Sequence, residues 1–302
     1  MSDVTFAPES RGRSPTGLFE IFPLFPERKT TMKRRVFLTV LTMMTILTAA
    51  LGQAADFTAE QYQQFEKCVF QPKADGPALL YRFRKPDVKP GEKYPLIIFL
   101  HGAGERGADN DAQLTGQDLF LHLVYSEAGQ KNPSFVLVPQ CPEGKRWCEV
   151  NWSTPDSHTT PAEPSEPFQL LRQLVDKLKK ELPIDASRIY ITGISMGGFG
   201  TFDWIVRYPG EVAAAVPICG GADNQKLAEV PDLKTLPIWI FHGSVDSAVN
   251  TERSRNAFKV LKKINPNAKY TEYPGVDHNS WTPAYRTAEL AEWLFQQKRE
   301  LP

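Results

Sequence analysis

Between residues 95 and 297 the sequence alternates short apolar runs with longer stretches whose apolar residues recur at helical spacing. The run 95–100 (PLIIFL) has no polar interruption, which suits a strand buried on both faces of a sheet. Further strands are expected at 78–84, 135–138, 188–192, 212–218, 237–241 and 269–273, and helices at 117–127, 168–182, 198–208, 251–264 and 283–297. In the second of those helices Leu170, Leu171, Leu174, Val175 and Leu178 share one face, and Pro183 ends the pattern. Strands separated by helices of this length form βαβ units. The fold class expected is therefore α/β, a mostly parallel sheet covered by helices on both faces through right-handed crossovers. No internal repeat or break in composition divides the domain. The Pro-rich stretch 141–167 reads as a long loop, a feature that compact domains usually reserve for function.

Of the 302 residues 41% are hydrophobic and 23% charged, too apolar for a disordered chain. Lys plus Arg equals Asp plus Glu at 35 each, so no basic excess favours a nucleic-acid partner. The charge is unevenly placed, with seven basic and four acidic residues in 1–54 and a net of three negative charges beyond. Residues 32–55 begin with Lys33, Arg34 and Arg35, continue through an apolar run from 36 to 51, and close on small residues. That layout is a secretory signal peptide. The run has 16 residues, four of them Thr, and falls short of the ~20 needed for a membrane span. Cleavage is expected near Ala54 or Ala55, giving an exported, periplasmic or extracellular domain over 56–302. Residues 1–31 fit no part of a signal peptide, and Met32 is read as the true start.

An exported domain can keep disulfides. Of the four cysteines, Cys68, Cys141, Cys148 and Cys219, the pair Cys141–Cys148 closes a short loop and is the favoured bridge, with four buried thiols as the alternative. No C-x-x-C or Cys/His spacing suggests a metal.

The chemistry centres on Gly193-Ile194-Ser195-Met196-Gly197, a G-x-S-x-G between an expected strand and an expected helix. An abrupt strand-to-helix turn holds its middle residue on a strained corner at the carboxyl end of the sheet. A serine hydroxyl needs a general base there, and the base needs an acid to fix its tautomer. In folds with this elbow the order is Ser, then acid, then His. His278 follows a late strand, whereas His242 precedes the acid and His101, His122 and His158 precede the serine. Asp246 is the acid expected; Asp223 and Asp232 read as solvated loop residues, and Asp277 adjoins the histidine. The oxyanion hole is expected from the N–H groups of Met196 and of Ala103, the latter in the glycine-rich loop LHGAGERG that His101 organises. Glu105 and Arg106 in that loop either pair with each other or meet a polar substrate.

Together LHGAGERG, PQCPEGKRWCEVNW, GISMGG, FHGSVDSAV and GVDHNSW resemble the α/β-hydrolase superfamily, in particular secreted bacterial esterases of the predicted-peptidase, phospholipase/carboxylesterase and dienelactone-hydrolase-like group. The resemblance spans about residues 78–297. It implies an eight-stranded sheet, Ser195, Asp246 and His278 as triad, Ala103 and Met196 as oxyanion donors, and no metal or organic cofactor. The expected activity is hydrolysis of a small-molecule or polysaccharide-linked carboxylic ester through an acyl-enzyme. Trp147, Trp152 and Trp281 are candidates for the substrate pocket, set against the equal claim of the core on any tryptophan. A serine peptidase of prolyl-oligopeptidase type is the rival activity, disfavoured by the short segment before residue 78. A binding protein on a hydrolase scaffold is the rival from another class, disfavoured by the completeness of the site. A dienelactone hydrolase would call for a Cys nucleophile.

Overall fold

The computed structural model describes residues 56–301; the expected leader, cleavage site and start at Met32 lie outside them. Eight strands form one sheet: β1 (Phe65–Phe70), β2 (Leu79–Arg84), β3 (Tyr94–Leu100), β4 (Phe135–Gln140), β5 (Ile184–Ile194), β6 (Ala214–Ile218), β7 (Trp239–Gly243) and β8 (Lys269–Tyr273). Their order is β1-β2-β4-β3-β5-β6-β7-β8. β1 and β2 run antiparallel to their neighbours, and all pairings from β4 to β8 are parallel. This is the α/β-hydrolase fold, eight strands included.

β3 is buried along its whole length because both of its faces are covered. Leu96, Ile98 and Leu100 pack on one side with α1 (Glu166–Glu181), α2 (Met196–Arg207) and α3 (Glu252–Ile264). Ile97 and Phe99 face the other side, against Phe120, Leu121 and Leu123 and α4 (Ala288–Gln296). The seam between β6 and β7 is thin, consisting of the pairing Ile218/Phe241 and a bridge Ala215/Ile238.

Several elements differ from expectation for local reasons. The apolar stretch 119–124 is too continuous to define one helical face. It forms a 3-10 turn, Asp118–Leu121, and a short helix, His122–Tyr125, before Ser126 caps a separate helix, Glu127–Lys131, accepting from the Gly129 N–H at 3.2 Å. The closing helix is two, Trp281–Tyr285 and α4, with Thr287 at the junction. β4 runs through Pro139, whose missing N–H is tolerated there, to reach Gln140 opposite Leu80. β1 and the helix Ala59–Gln63 are not expected from the sequence; β1 is an edge strand that carries Glu66 and Lys67 side by side and so lacks a strand's alternation.

The four cysteines are separate thiols, against the expected Cys141–Cys148 bridge. The two face different surroundings: Cys141 belongs to the main core, while Cys148 packs with Val150, Phe199 and Val249. Asp223 is buried rather than solvated. It caps the helix Asn224–Glu229 through the Gln225 and Lys226 N–H groups and accepts from the Thr160 N–H at 2.7 Å. Among the described residues no helix is long and apolar enough to cross a membrane.

Candidate active site

The carboxyl ends of β3, β5, β7 and β8 converge, and each contributes a loop. β5 leads directly into Ser195, which adopts φ 52° and ψ −116°, a left-handed conformation costing a non-glycine residue about 1–3 kcal/mol. The strain is sustained by close packing. A Cβ on Gly197 would be driven into the Leu100 carbonyl of β3, and one on Gly193 into the Gly197 backbone, so only glycine lets α2 start this near the sheet. The Ser195 N–H donates to the Ile218 carbonyl at 3.0 Å and also points to the Cys219 thiol at 3.3 Å.

His278 lies beyond β8 and Asp246 beyond β7. The imidazole Nε2 is 2.9 Å from Ser195 Oγ, and Nδ1 is 2.8 and 3.0 Å from the two Asp246 oxygens. A nitrogen facing a carboxylate carries the proton, which leaves Nε2 free to accept from the serine hydroxyl. The Asp246 side chain has no exposed surface. Burial opposes its charge, but hydrogen bonds from His242, His278 and the Val249 N–H outweigh burial and hold the carboxyl below the usual range. The acid is thus ionised wherever the protein is folded near neutrality. Asp277, adjacent to the base, points away from it and ties the two loops together: Oδ1 accepts from the Ser247 N–H and the His278 N–H, both at 2.7 Å.

The loop after β3 approaches from the other side. A Cβ on Gly102 would stand 3.7 Å from that of Ser195. Ala103 opens the 3-10 turn Ala103–Glu105 and Met196 opens α2. Each is the first residue of a helical turn, and the N–H there has no acceptor within its own helix. His101, fully buried, fixes this loop: Nδ1 donates to the Gly102 carbonyl at 2.6 Å and Nε2 accepts the Cys141 N–H at 2.9 Å. Arg106 does not pair with Glu105. Its Nε donates back to the Ala103 carbonyl at 2.8 Å, while burial raises the Glu105 carboxyl above its ordinary range.

The tryptophans separate. Trp147 is entirely buried and donates from Nε1 to the His101 carbonyl at 3.1 Å, so it supports the loop from within the core and lines no open pocket, contrary to expectation. Trp152 is half-buried beneath the Arg146 guanidinium, 4.2 Å from its ring centre. Trp281 stands edge-on to the His278 ring at 5.4 Å and is the one of the three that touches these groups. A cavity of about 600 Å³ lined by Val212, Leu236, Pro237 and Lys298 opens elsewhere, at the amino ends of β6 and β7. Among the described residues, Cys219, Asp246 and His278 bring their ligating atoms within 4.8 Å of one another. Their atoms are already engaged with each other and with Ser195, and burial pushes the Cys219 thiol up, away from the thiolate a metal needs. Sequence reasoning weighed Asp277 only as a rival acid and Cys219 only as a disulfide candidate, and it set His242 aside on chain order; the signal for His242 lay in its spacing of four residues from Asp246 at a strand end.

The arrangement can be compared with known proteins. Residues 88–289 match the family described as Phospholipase/Carboxylesterase. The acyl-protein thioesterase 1 homolog 2 of Dictyostelium discoideum is 26% identical over 197 residues, covering 61% of this chain and 85% of its own length. The bifunctional acetylxylan esterase/xylanase XynS20E of Neocallimastix patriciarum is 31% identical over 217 residues, covering 69% of this chain, which spans only 29% of that enzyme. A crystal structure of a thermostable esterase superposes with a TM-score of 0.72 at 40% identity, over 79% of this chain and 64% of that one. With two thirds of its length matched and its sheet order as described, the chain belongs to the phospholipase/carboxylesterase family of α/β hydrolases.

Proposed function

We propose that the chain is an exported serine esterase that cleaves a small-molecule or polysaccharide-linked carboxylic ester through an acyl-enzyme. The observation that carries this reading is the unbroken line from Asp246 through His278 to Ser195 Oγ, at 2.8 and 2.9 Å, ending on a strained elbow. His278 takes the Ser195 proton as Oγ attacks the carbonyl carbon, and Asp246 stabilises the imidazolium. The Ala103 and Met196 N–H groups receive the developing oxyanion. The imidazolium then protonates the leaving alcohol. Water repeats the cycle and releases the acid. The edge-on Trp281 gives the site an apolar wall. The similarity to an acetylxylan esterase/xylanase and to a thermostable esterase supports an ester over a peptide. Export rests on the basic, apolar and small-residue layout of 32–55.

Hydrolysis of p-nitrophenyl esters of rising acyl length, of methyl ferulate and of a prolyl anilide tests the reading, with Ser195→Ala and fluorophosphonate labelling alongside. Ester turnover and labelling that vanish together in Ser195→Ala are expected. Equal turnover by the variant, or anilide cleavage matching that of the esters, overturns it. A native amino terminus near Ala54 is expected for the exported form, and recovery of residues 1–31 from the native protein contradicts it.

A further inference from the structure

His242 closes β7, fully buried and with no place in the Ser195–His278–Asp246 line. Its ring is nevertheless in that line's immediate surroundings. Nε2 is 3.1 Å from Asp246 Oδ2 and 3.0 Å from the Val249 carbonyl. Both neighbours are acceptors, so Nε2 carries a proton and donates to them. Nδ1 is 2.7 Å from Ser254 Oγ in the first turns of α3, and that hydroxyl lies 3.1 Å from the Gly220 carbonyl. Gly220 in turn abuts Gly198 and Phe199 of α2, the helix that begins at the nucleophile.

We infer that His242 is a positioning residue for the acid, with Ser254 as its own anchor, so that Asp246 is oriented by two imidazoles of opposite role. His278 exchanges protons with the reacting serine. His242 touches no reacting atom and acts only through Asp246. The Ala248 and Val249 N–H groups, at 2.9 and 2.8 Å, hold Oδ1 from the acid loop itself. Oδ2 has no such backbone donor and depends on His242 to keep the carboxylate plane turned toward His278. Through Ser254 and Gly220 the same ring also keys the acid loop to the elbow helix, two parts of the site that come from strands on either side of the thin β6/β7 seam.

This inference rests on Asp246 being the catalytic acid, and the test separates the two. The kcat and KM for a p-nitrophenyl ester are measured per fluorophosphonate-titrated site for the wild type, His242→Ala, His242→Gln, Ser254→Ala and Asp246→Asn. A carboxylate left to rotate misplaces the base, and misplacement of about 1 Å costs up to about a hundredfold in rate. For His242→Ala, kcat per titrated site is expected to fall about tenfold to a hundredfold with KM within about twofold. His242→Gln, whose amide N–H reaches the place of Nε2, restores much of the loss, and Ser254→Ala gives a smaller drop of the same kind. A merely structural role lowers the fraction of titratable enzyme and leaves kcat per site alone; that result, or Gln falling as far as Ala, overturns the inference. If His242→Ala yields no folded protein, Ser254→Ala carries the test, and unchanged kcat per site there overturns the inference equally. Full activity in Asp246→Asn defeats the triad itself, whereas loss there with intact His242 variants defeats only the positioning role.

Discussion

Acid should weaken this protein through His101 before it reaches the carboxylates. Burial, helped by the Arg106 charge, drives the ring from 6.5 down to about 4, against the Gly102 carbonyl that favours its proton. Glu105 Oε2, 4.0 Å from Nδ1, adds little, since burial raises its own carboxyl as well. The folded pKa lies below the unfolded one, so between 6.5 and about 4 the unfolded chain binds a proton that the native ring refuses. Stability is therefore whole above 6.5 and is lost as pH falls toward about 4. At about pH 4.5 the loss from this one residue comes to about 2.5 kcal/mol, with a ceiling of about 3 kcal/mol below that. Protonation also removes the acceptor for the Cys141 N–H and loosens the ring beneath the oxyanion loop. His158, lowered to about 4 chiefly by burial, acts with the same sign, and Asp203, raised by burial to about 6, acts with the opposite one. The total slope is thus a mixture, and the informative quantity is a difference. Urea unfolding followed by tryptophan fluorescence at about pH 7 and about pH 4.5, in wild type and His101→Gln, isolates it. The variant is weaker at neutrality because it lacks one of the ring's hydrogen bonds, but its stability should fall by about 2.5 kcal/mol less between the two pH values. Parallel pH dependences in the two proteins would refute the assignment of a buried neutral His101.

Gly197→Ala places a methyl group against the Leu100 carbonyl and should destabilise by more than about 2 kcal/mol while abolishing fluorophosphonate labelling; normal labelling would contradict the packing described for the elbow. Asn265, buried after α3, donates from Nδ2 to the Leu233 and Leu236 carbonyls at 2.8 and 2.6 Å. Its replacement by Ala orphans two acceptors, and urea unfolding should register a loss of about 2–3 kcal/mol with kcat per titrated site unchanged. With the cysteines as free thiols, a disulfide reagent should find at most Cys68 in the native protein and all four after unfolding, since Cys141, Cys148 and Cys219 are buried and Cys141 is pushed up to about 12. Dithiothreitol should leave the melting temperature unmoved, and a drop would point to a bridge.

The parallel sheet was legible because its strands are apolar on both faces and its helices on one, so each element announces its own surroundings. Ser195, Asp246 and His278 could be selected because chain order and strand ends leave few choices. Elements whose burial is lopsided or interrupted were harder to read. β1 carries Glu66 and Lys67 on an edge, and the stretch 119–124 is apolar at every position but His122, so neither shows a clean period. Trp147 illustrates a different limit. Its position in a long polar loop suggested a pocket, but its role depends on His101, 46 residues away, whose carbonyl it holds. Asp223 likewise sits among glycines that suggest solvent, yet it caps a helix and anchors Thr160 from 63 residues away. Contacts of that range belong to tertiary structure and leave no local mark.

The narrow join between β6 and β7 divides the chemistry. Ser195 stands on the central strands, where pairing is extensive, while Asp246 and His278 ride on the last two. If β7 and β8 lift away as a cooperative unit, the nucleophile keeps its elbow but loses its base, with most of the sheet still intact. Turnover then acts as a local thermometer for one margin of the sheet. It should vanish at a lower denaturant concentration than the circular dichroism signal, and amide protons of β7 should exchange ahead of those in β3 and β5. Thermal tolerance of activity, as distinct from that of the fold, would be set by this short join, whose hydrogen bonds include those from the Ala215 N–H to the Pro237 carbonyl at 3.0 Å and from the Cys219 N–H to the Phe241 carbonyl at 2.9 Å.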